Sequence, residues 1–536
     1  MLNFRHFLFI NNHFLKTITS FIIYFILFLQ ICFANPVKKD TTTVERIVAT
    51  SFATFNPILK GLAANPVIKI KLELPASIQQ KSFQKIKINI NSSAVSTINK
   101  LDVFLTNTDE FSSANLIGSI IPTHSSIDLP VAFKASSGTS YIWLSATLKN
   151  DAPVSNKIEI HCSKLIDELN REINIKESSF SYAKLTGFAI RKIMDDSVNS
   201  YRIPGFVTTN KGTLIAVYDV RYNSSRDLPG NIDVGMSRST DKGNTWQPMK
   251  VIMDMGEPQK ENGIGDPSIL FDPITKKIWV AALWSKGNHS IAGSKPGLSP
   301  DESGQFILVN SSDDGLTWSS PINITSQVKN PDWKILFQGP GNGIAMRDGK
   351  LVFPAQYWDS TKMPYSTIVY SADHGNTWKR AGNGAKSNTT EAQVVETNPG
   401  TLMLNMRDNR GKFRSVSTTN DMGKTWMEHA TSYHTFPDPI CQGSIIKAKV
   451  KIGGMMKDIL FFSNDNSSSK RNSITIKASL DYGETWQSTN QLLIDERSCY
   501  GYSCLTKIDE NTIGILYEGI REIYFVSVPV KDIIKK

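Results

Sequence analysis

Cysteine is scarce: the 536 residues hold five, and one of these, Cys32, falls in an apolar N-terminal stretch. No C-x-x-C spacing occurs, and the eight histidines form no H-E-x-x-H or other ligand spacing. A catalytic metal and a cofactor site are therefore unsupported. The formal net charge of +10 comes without an arginine-rich run or a basic helix. Nucleic acid is not indicated as a partner, whereas an anionic small substrate, or solubility alone, fits. There is no low-complexity tract and only one long hydrophobic run.

That run, Ile22 to Leu29, follows Arg5 and Lys16 and leads to Ala34. It reads as a secretory signal over residues 1–34, cleaved after the small Ala34, with an uncleaved anchor as the alternative. Ile31 before Cys32 lacks the small side chain a lipoprotein signal needs. Secretion, to the periplasm, cell surface or medium, leaves Cys499 and Cys504 either bridged or free.

Residues 35–180 alternate apolar and polar side chains in short runs, at Val67–Leu74, Ile86–Ile90, Leu101–Leu105 and Tyr141–Leu144. Period two with Ser, Asn, Gly and Pro between the runs predicts a β-sandwich, serving as a spacer or as a carbohydrate-binding domain.

The rest of the chain, 181–536, is organised by a repeat. The pattern S-x-D-x-G-x-T-W runs from Ser239 to Trp246 and returns at Ser311, Ser371, Thr419 and Ser479, about 50 to 70 residues apart. In each copy Asp and Gly make a tight turn, the Asp accepts backbone N–H groups, and the Trp packs the hairpin. Tandem hairpins at this spacing predict an all-β six-bladed propeller.

Tyr201-Arg-Ile-Pro-Gly205 upstream of these boxes resembles the exo-α-sialidases, and the resemblance spans roughly 185–536. It implies three arginines on a sugar carboxylate: Arg202, Arg407 in Leu402-Met-Leu-Asn-Met-Arg, and Arg471 in Lys470-Arg-Asn-Ser. Forked, permanently charged donors suit a planar carboxylate. Arg410, Arg414 and Lys470 lie nearby as competitors for these positions, with a solvated loop charge as the alternative reading of each.

The same resemblance implies Tyr502 as nucleophile, Glu391 as its base, Asp227 as acid/base, and Glu518 as the partner of Arg202. It also implies Asp266 and Arg221 as substrate contacts near the acetyl or glycerol end. A neutral phenol suits an anomeric carbon that already carries a carboxylate, since an anionic nucleophile would be repelled. Glu396, five residues from Glu391 on one strand, points to the opposite face. Two loops, Ser294–Phe306 and the glycine-rich Gln338–Ile344, are candidates for shaping access and for close backbone approach to a ligand.

The activity implied is retaining hydrolysis of terminal α-linked sialic acid on glycoproteins, glycolipids and oligosaccharides, with no metal, no cofactor and no cofactor protein. A trans-sialidase and a silent sialic-acid lectin are the alternatives. Oligomeric state leaves no mark on the sequence.

Overall fold

The computed structural model describes residues 46–178, 183–256 and 261–535. The N-terminal apolar run lies outside the described residues. Among the described residues no helix is long and apolar enough to cross a membrane.

The N-terminal domain is one nine-stranded sheet. Its order is Leu116–Ile120, Ile98–Thr106, Gly138–Leu148, Asn65–Leu74, Val48–Ala53, Glu172–Glu177, Ile160–Asp167, Gln80–Ile90 and Ser126–Ser136. Neighbours run antiparallel except the central pair Val48–Ala53 and Glu172–Glu177. The alternation read in the sequence places Ile70, Leu72, Ile86, Ile88, Leu101, Val103, Ile142 and Leu144 on one buried face. The sheet curls round that face until its two edges meet. A Cβ on Gly118 of one edge would stand 2.3 Å from the Pro130 carbonyl of the other. The expected sandwich is thus a nearly closed barrel, because one continuous sheet bends to cover its own apolar side.

Six four-stranded blades follow. Blade I is Ser200–Thr208, Leu214–Arg221, Ile232–Ser239 and Lys250–Met253, and blade II starts at Gly263–Phe271. Blade III is built on Ile335–Gln338 and Leu351–Trp358, blade IV on Thr389–Glu396 and Leu402–Asp408, and blade V on Ser444–Ile452 and Met455–Asp465. Blade VI takes three strands from the C-terminus, Ser503–Asp509, Thr512–Glu518 and Ile523–Pro529, and its fourth, Lys184–Arg191, from the start of the propeller.

This closure explains why six blades carry five boxes. Each box turns the third strand of a blade into its fourth, and in blade VI those strands come from opposite ends of the chain. The outer edge of blade VI is covered in turn by Ile58–Lys60 and Lys157–Ile158 from the N-terminal region. Lys60 Nζ also donates to Asn244 O of the first box at 2.6 Å.

Each box is tied as its composition dictates. In the first, Thr245 N and Oγ1 donate to the Asp241 carboxylate at 2.9 and 2.6 Å, and Gly243 N donates to Ser239 Oγ at 2.9 Å. The same bonds recur at Asp313, Asp373, Asp421 and Asp481. Donation from the box threonine holds the Asp313 and Asp373 carboxyls down to about 2. The tryptophans also seal blade boundaries: Trp246 of blade I meets Phe525 of blade VI, and Trp378 of blade III meets Trp279 of blade II.

The glycine-rich Gln338–Ile344 does not border the candidate cavity as the sequence suggested. It crosses the propeller axis, where Gly341 lies against Gln393 and Gln442 and both glutamine amides donate to Pro340 O. Gly339 and Gly343 admit other backbone rather than ligand: a Cβ would be 2.5 Å from Ala392 O at the first and 2.6 Å from Val352 O at the second.

The four cysteines of the described residues are free thiols. Cys499 turns toward Asp465 and Cys504 toward Phe206 in the core between blades VI and I, so these two face apart.

Candidate active site

Three inner strands share one irregularity at the same end. Blade I has a one-residue bulge between Arg202 and Gly205, blade II between Gly265 and Ser268, and blade IV between Thr389 and Ala392. A bulge breaks the two-residue alternation and re-aims a side chain. Here the bulges turn Arg202, Asp266 and Glu391 toward one cavity of about 420 Å³. Pro204 lies within its strand, in the bulge of an inner edge strand, where no ladder N–H is required.

The cavity gathers Arg202, Asp227, Asp266, Glu391, Arg407, Arg471 and Tyr502 from five blades. Phe337, Gln356 and Trp358 of blade III add an opposite wall, with Ile291 from the loop after blade II's second strand. None of these four was singled out from the sequence, since wall residues carry no motif.

Glu518, with 0 % side-chain exposure, organises two of the members. Arg202 Nε and Nη2 donate to its two oxygens at 3.0 and 3.2 Å, and the backbone N–H groups of Ile203 and Tyr502 add bonds of 2.8 and 3.0 Å. Four donors on one carboxylate lock a guanidinium in place.

The Tyr502 hydroxyl donates to Glu391 Oε1, and Glu391 Oε2 accepts from Arg407 Nη1 at 2.7 Å. The same Nη1 lies 3.1 Å from the Tyr502 oxygen. Burial first, then the Glu391 carboxylate, raise the phenol well above its ordinary pKa, against the pull of Arg407 and Arg202. Tyr502 is therefore held as a neutral phenol hydrogen-bonded to Glu391. Glu396 lies on the other face, as period two requires, accepting from Arg347 N and Gly400 N.

Arg471 donates to two backbone carbonyls, Tyr500 O at 3.0 Å and Ile440 O at 2.9 Å. Among the described residues no carboxylate hydrogen-bonds to it, so its guanidinium is available to an anion entering the cavity.

On the far side, Arg221 is not beside open substrate space, where the resemblance had set it. Its side chain is 1 % exposed and lies behind the wall, donating to Asp219 Oδ2 at 3.0 and 2.7 Å and reaching Asp227 Oδ1 at 2.6 Å. Asp219 was overlooked, although Asp219 and Arg221, two apart on one strand, share a face by simple alternation. Asp219 Oδ1 also accepts from Asp266 N at 2.8 Å.

Three carboxylates around one arginine do not ionise alike. Burial, then Asp219 and Asp227, push Asp266 well above the carboxylate range, and burial lifts Asp219 to about 6. Asp227, with 63 % side-chain exposure, behaves oppositely: partial desolvation works to raise it, but Arg221, Arg202 and Arg407 together hold it below its ordinary value.

Of the nearby charges read as solvated, Arg414 is fully buried and donates to Asp438 Oδ2 at 3.1 Å and Cys441 O at 2.5 Å, bracing blade IV against blade V. Arg410 pairs with Asp408 at 3.0 Å.

Comparison with known proteins identifies the family. Residues 203–487 match the BNR repeat-like domain, and residues 47–167 match the N-terminal domain of BNR-repeat neuraminidase. A sialidase of Bacteroides fragilis is 48 % identical over 406 residues, 74 % of each chain. One from Clostridium perfringens is 31 % identical over 336 residues, covering 60 % of this chain and 86 % of that protein. The solved structure of the Hadza microbial sialidase Hz136 superposes with a TM-score of 0.84 at 39 % identity, covering 90 % of this chain and all of that one (100 %). The chain therefore belongs to the bacterial BNR-repeat sialidases, a family of glycoside hydrolases.

Proposed function

We propose that the protein is a retaining exo-α-sialidase that releases terminal α-linked sialic acid from glycoproteins, glycolipids and oligosaccharides by way of a covalent sialyl-tyrosine. One observation carries the reading: a neutral phenol hydrogen-bonded to Glu391 stands beside three arginines, with Asp227 across the same cavity. A binding protein has use for the arginines but none for a phenol joined to a base.

Arg202, Arg407 and Arg471 take the substrate carboxylate and hold the anomeric carbon before Tyr502. The phenolic oxygen attacks that carbon as its proton passes to Glu391, so no free phenolate forms. The glycosidic bond breaks, and Asp227 delivers a proton to the departing oxygen. In the second half Asp227 takes a proton from water, the water oxygen displaces Tyr502, and Glu391 returns the proton to the phenol. Two inversions give retention.

The electrostatics support this order. Arg221, Arg202 and Arg407 together keep Asp227 ionised, which is wrong for an acid. A substrate carboxylate bound to Arg202 and Arg407 cancels part of their pull and moves Asp227 toward the protonated form it needs. Asp266, kept protonated by its surroundings, can donate a hydrogen bond to a substrate oxygen. The N-terminal apolar run, read as an export signal, supports a location outside the cytoplasm, where sialylated glycans are encountered.

The test is a fluorogenic sialoside assay on wild type and on Tyr502→Phe. Wild type is expected to turn over and the variant to lose at least a thousandfold in kcat while still binding sialic acid. An inactive wild type sinks the enzyme reading; full activity of Tyr502→Phe sinks the mechanism.

A further inference from the structure

Tyr500, two residues before Tyr502, does not line the cavity. It nevertheless touches two of the three carboxylate-binding arginines. Its ring lies under the Arg202 guanidinium, 4.6 Å from ring centroid to Cζ, and its carbonyl accepts from Arg471 Nη1 at 3.0 Å. The two arginines arrive from blades I and V, and Tyr500 lies in the segment that leads into the blade VI strand Ser503–Asp509. Its own position is fixed: Tyr500 N donates to Gly519 O at 3.1 Å, next to Glu518. Behind it Gly501 takes φ 96°, with so little space that a Cβ would stand 2.1 Å from Asp465 Oδ2.

Arg202 is thereby held twice. Glu518 grips the edge of the guanidinium and fixes its rotation, while an aromatic face beneath it fixes its height in the cavity. The ring of Tyr502 also lies 5.3 Å from Arg202 Cζ, but that ring has to move charge during reaction, whereas Tyr500 has no such duty. A guanidinium over an electron-rich ring is attracted to it, and more strongly the drier the contact.

We propose that Tyr500 is a positioning residue that sets the affinity of the arginine cluster for the substrate carboxylate, through the π-face of its ring for Arg202 and its carbonyl for Arg471. The proposal rests on the sialidase reading above. It assigns to Tyr500 an effect on binding, leaving the chemistry of Tyr502 and Glu391 in place. The hydroxyl of Tyr500 has no part in it; the electron density of the ring does.

Position 500 is to be filled in turn with phenylalanine and its 4-fluoro, 3,5-difluoro and 3,4,5-trifluoro analogues, which keep the shape and drain the π-face stepwise. Dissociation constants for free sialic acid are measured by calorimetry, and kcat and KM on sialyllactose alongside. Tyr500→Phe is expected to bind within twofold of wild type. Each fluorination then weakens binding and raises KM, reaching about tenfold at trifluoro, with kcat staying within threefold. Tyr500→Leu, which removes the ring face altogether, should fall at the weak end of the series. A flat fluorine series overturns the proposal, as does a series that loses kcat at constant KM, which would assign Tyr500 to the nucleophile instead. Failure of the wild type to bind sialic acid would refute the sialidase reading itself, a separate outcome visible before any variant is made.

Discussion

Replacing Glu518 by glutamine keeps the shape of the side chain and removes its charge, and the structure says how much this should matter. The carboxylate receives two donors on each oxygen: Arg202 Nε and Ile203 N on one, Arg202 Nη2 and Tyr502 N on the other. Whichever way the amide turns, its NH₂ faces two N–H groups, and both lose their acceptor. A buried donor left unmet costs about 1 to 3 kcal/mol, and stranding one member of a buried ion pair costs about 3 to 5 kcal/mol. These overlap, so about 4 kcal/mol is the expected loss to the fold. Only the part that displaces Arg202 and the Tyr502 backbone reaches catalysis. At about 1.5 to 3 kcal/mol for one charge-assisted bond, kcat/KM falls about ten- to 150-fold. The assay is kcat/KM on sialyllactose together with the urea midpoint followed by tryptophan fluorescence. Glu396→Gln is the control, since that carboxylate accepts only backbone N–H groups on the far face of its strand, and its kcat/KM should match wild type. A Glu518→Gln enzyme within threefold of wild type and with an unshifted midpoint would refute the claim that this carboxylate organises the site.

Two further expectations concern the carboxylates around Arg221. Asp227→Gly should give, with an aryl sialoside, a stoichiometric burst of phenol and then slow turnover that added azide restores, because a good leaving group needs no acid but the intermediate still needs a base; release without a burst argues against the double role. Asp266 holds a proton in the fold that the unfolded chain gives up above about pH 4, so its contribution to stability falls as pH rises through that region. Asp266→Asn should therefore raise the thermal midpoint at pH 7 by about 2 to 5 °C, with the gap closing below pH 4 while kcat/KM drops; an equal gap at both pH values would contradict the protonation assigned here.

How far the sequence leads depends on the kind of residue. The boxes announce the blades because their bonds are local, each closing within five residues. Tyr502 and Glu391 stand in recognisable strings, yet their contact spans 111 positions and no periodicity foretells it. Arg221 misleads because a strand period reports which face a side chain takes but not whether another carboxylate, here Asp227, comes to cover it. The bulges at Arg202, Asp266 and Glu391 are likewise invisible to alternation, since a bulge is a departure from it. Arg414 looks like a loop charge until the blades on either side are known. The glycines of Gln338–Ile344 correctly signal close approach, and only the partner differs: a neighbouring blade in place of a sugar.

The ring is closed by pairing Ile523–Pro529 with Lys184–Arg191. Bringing these strands together across ~330 intervening residues costs about 5 kcal/mol of chain entropy. That closure is also what unites Glu518 with Arg202, since one belongs to the last blade and the other to the first. A nascent chain that has emerged through blade V owns all five of its box turns and two of its arginines on adjoining blades, but no Tyr502 and no anchored Arg202. Ring completion and the onset of activity are thus one event in the life of the polypeptide, and an unfinished or clipped chain is silent by construction.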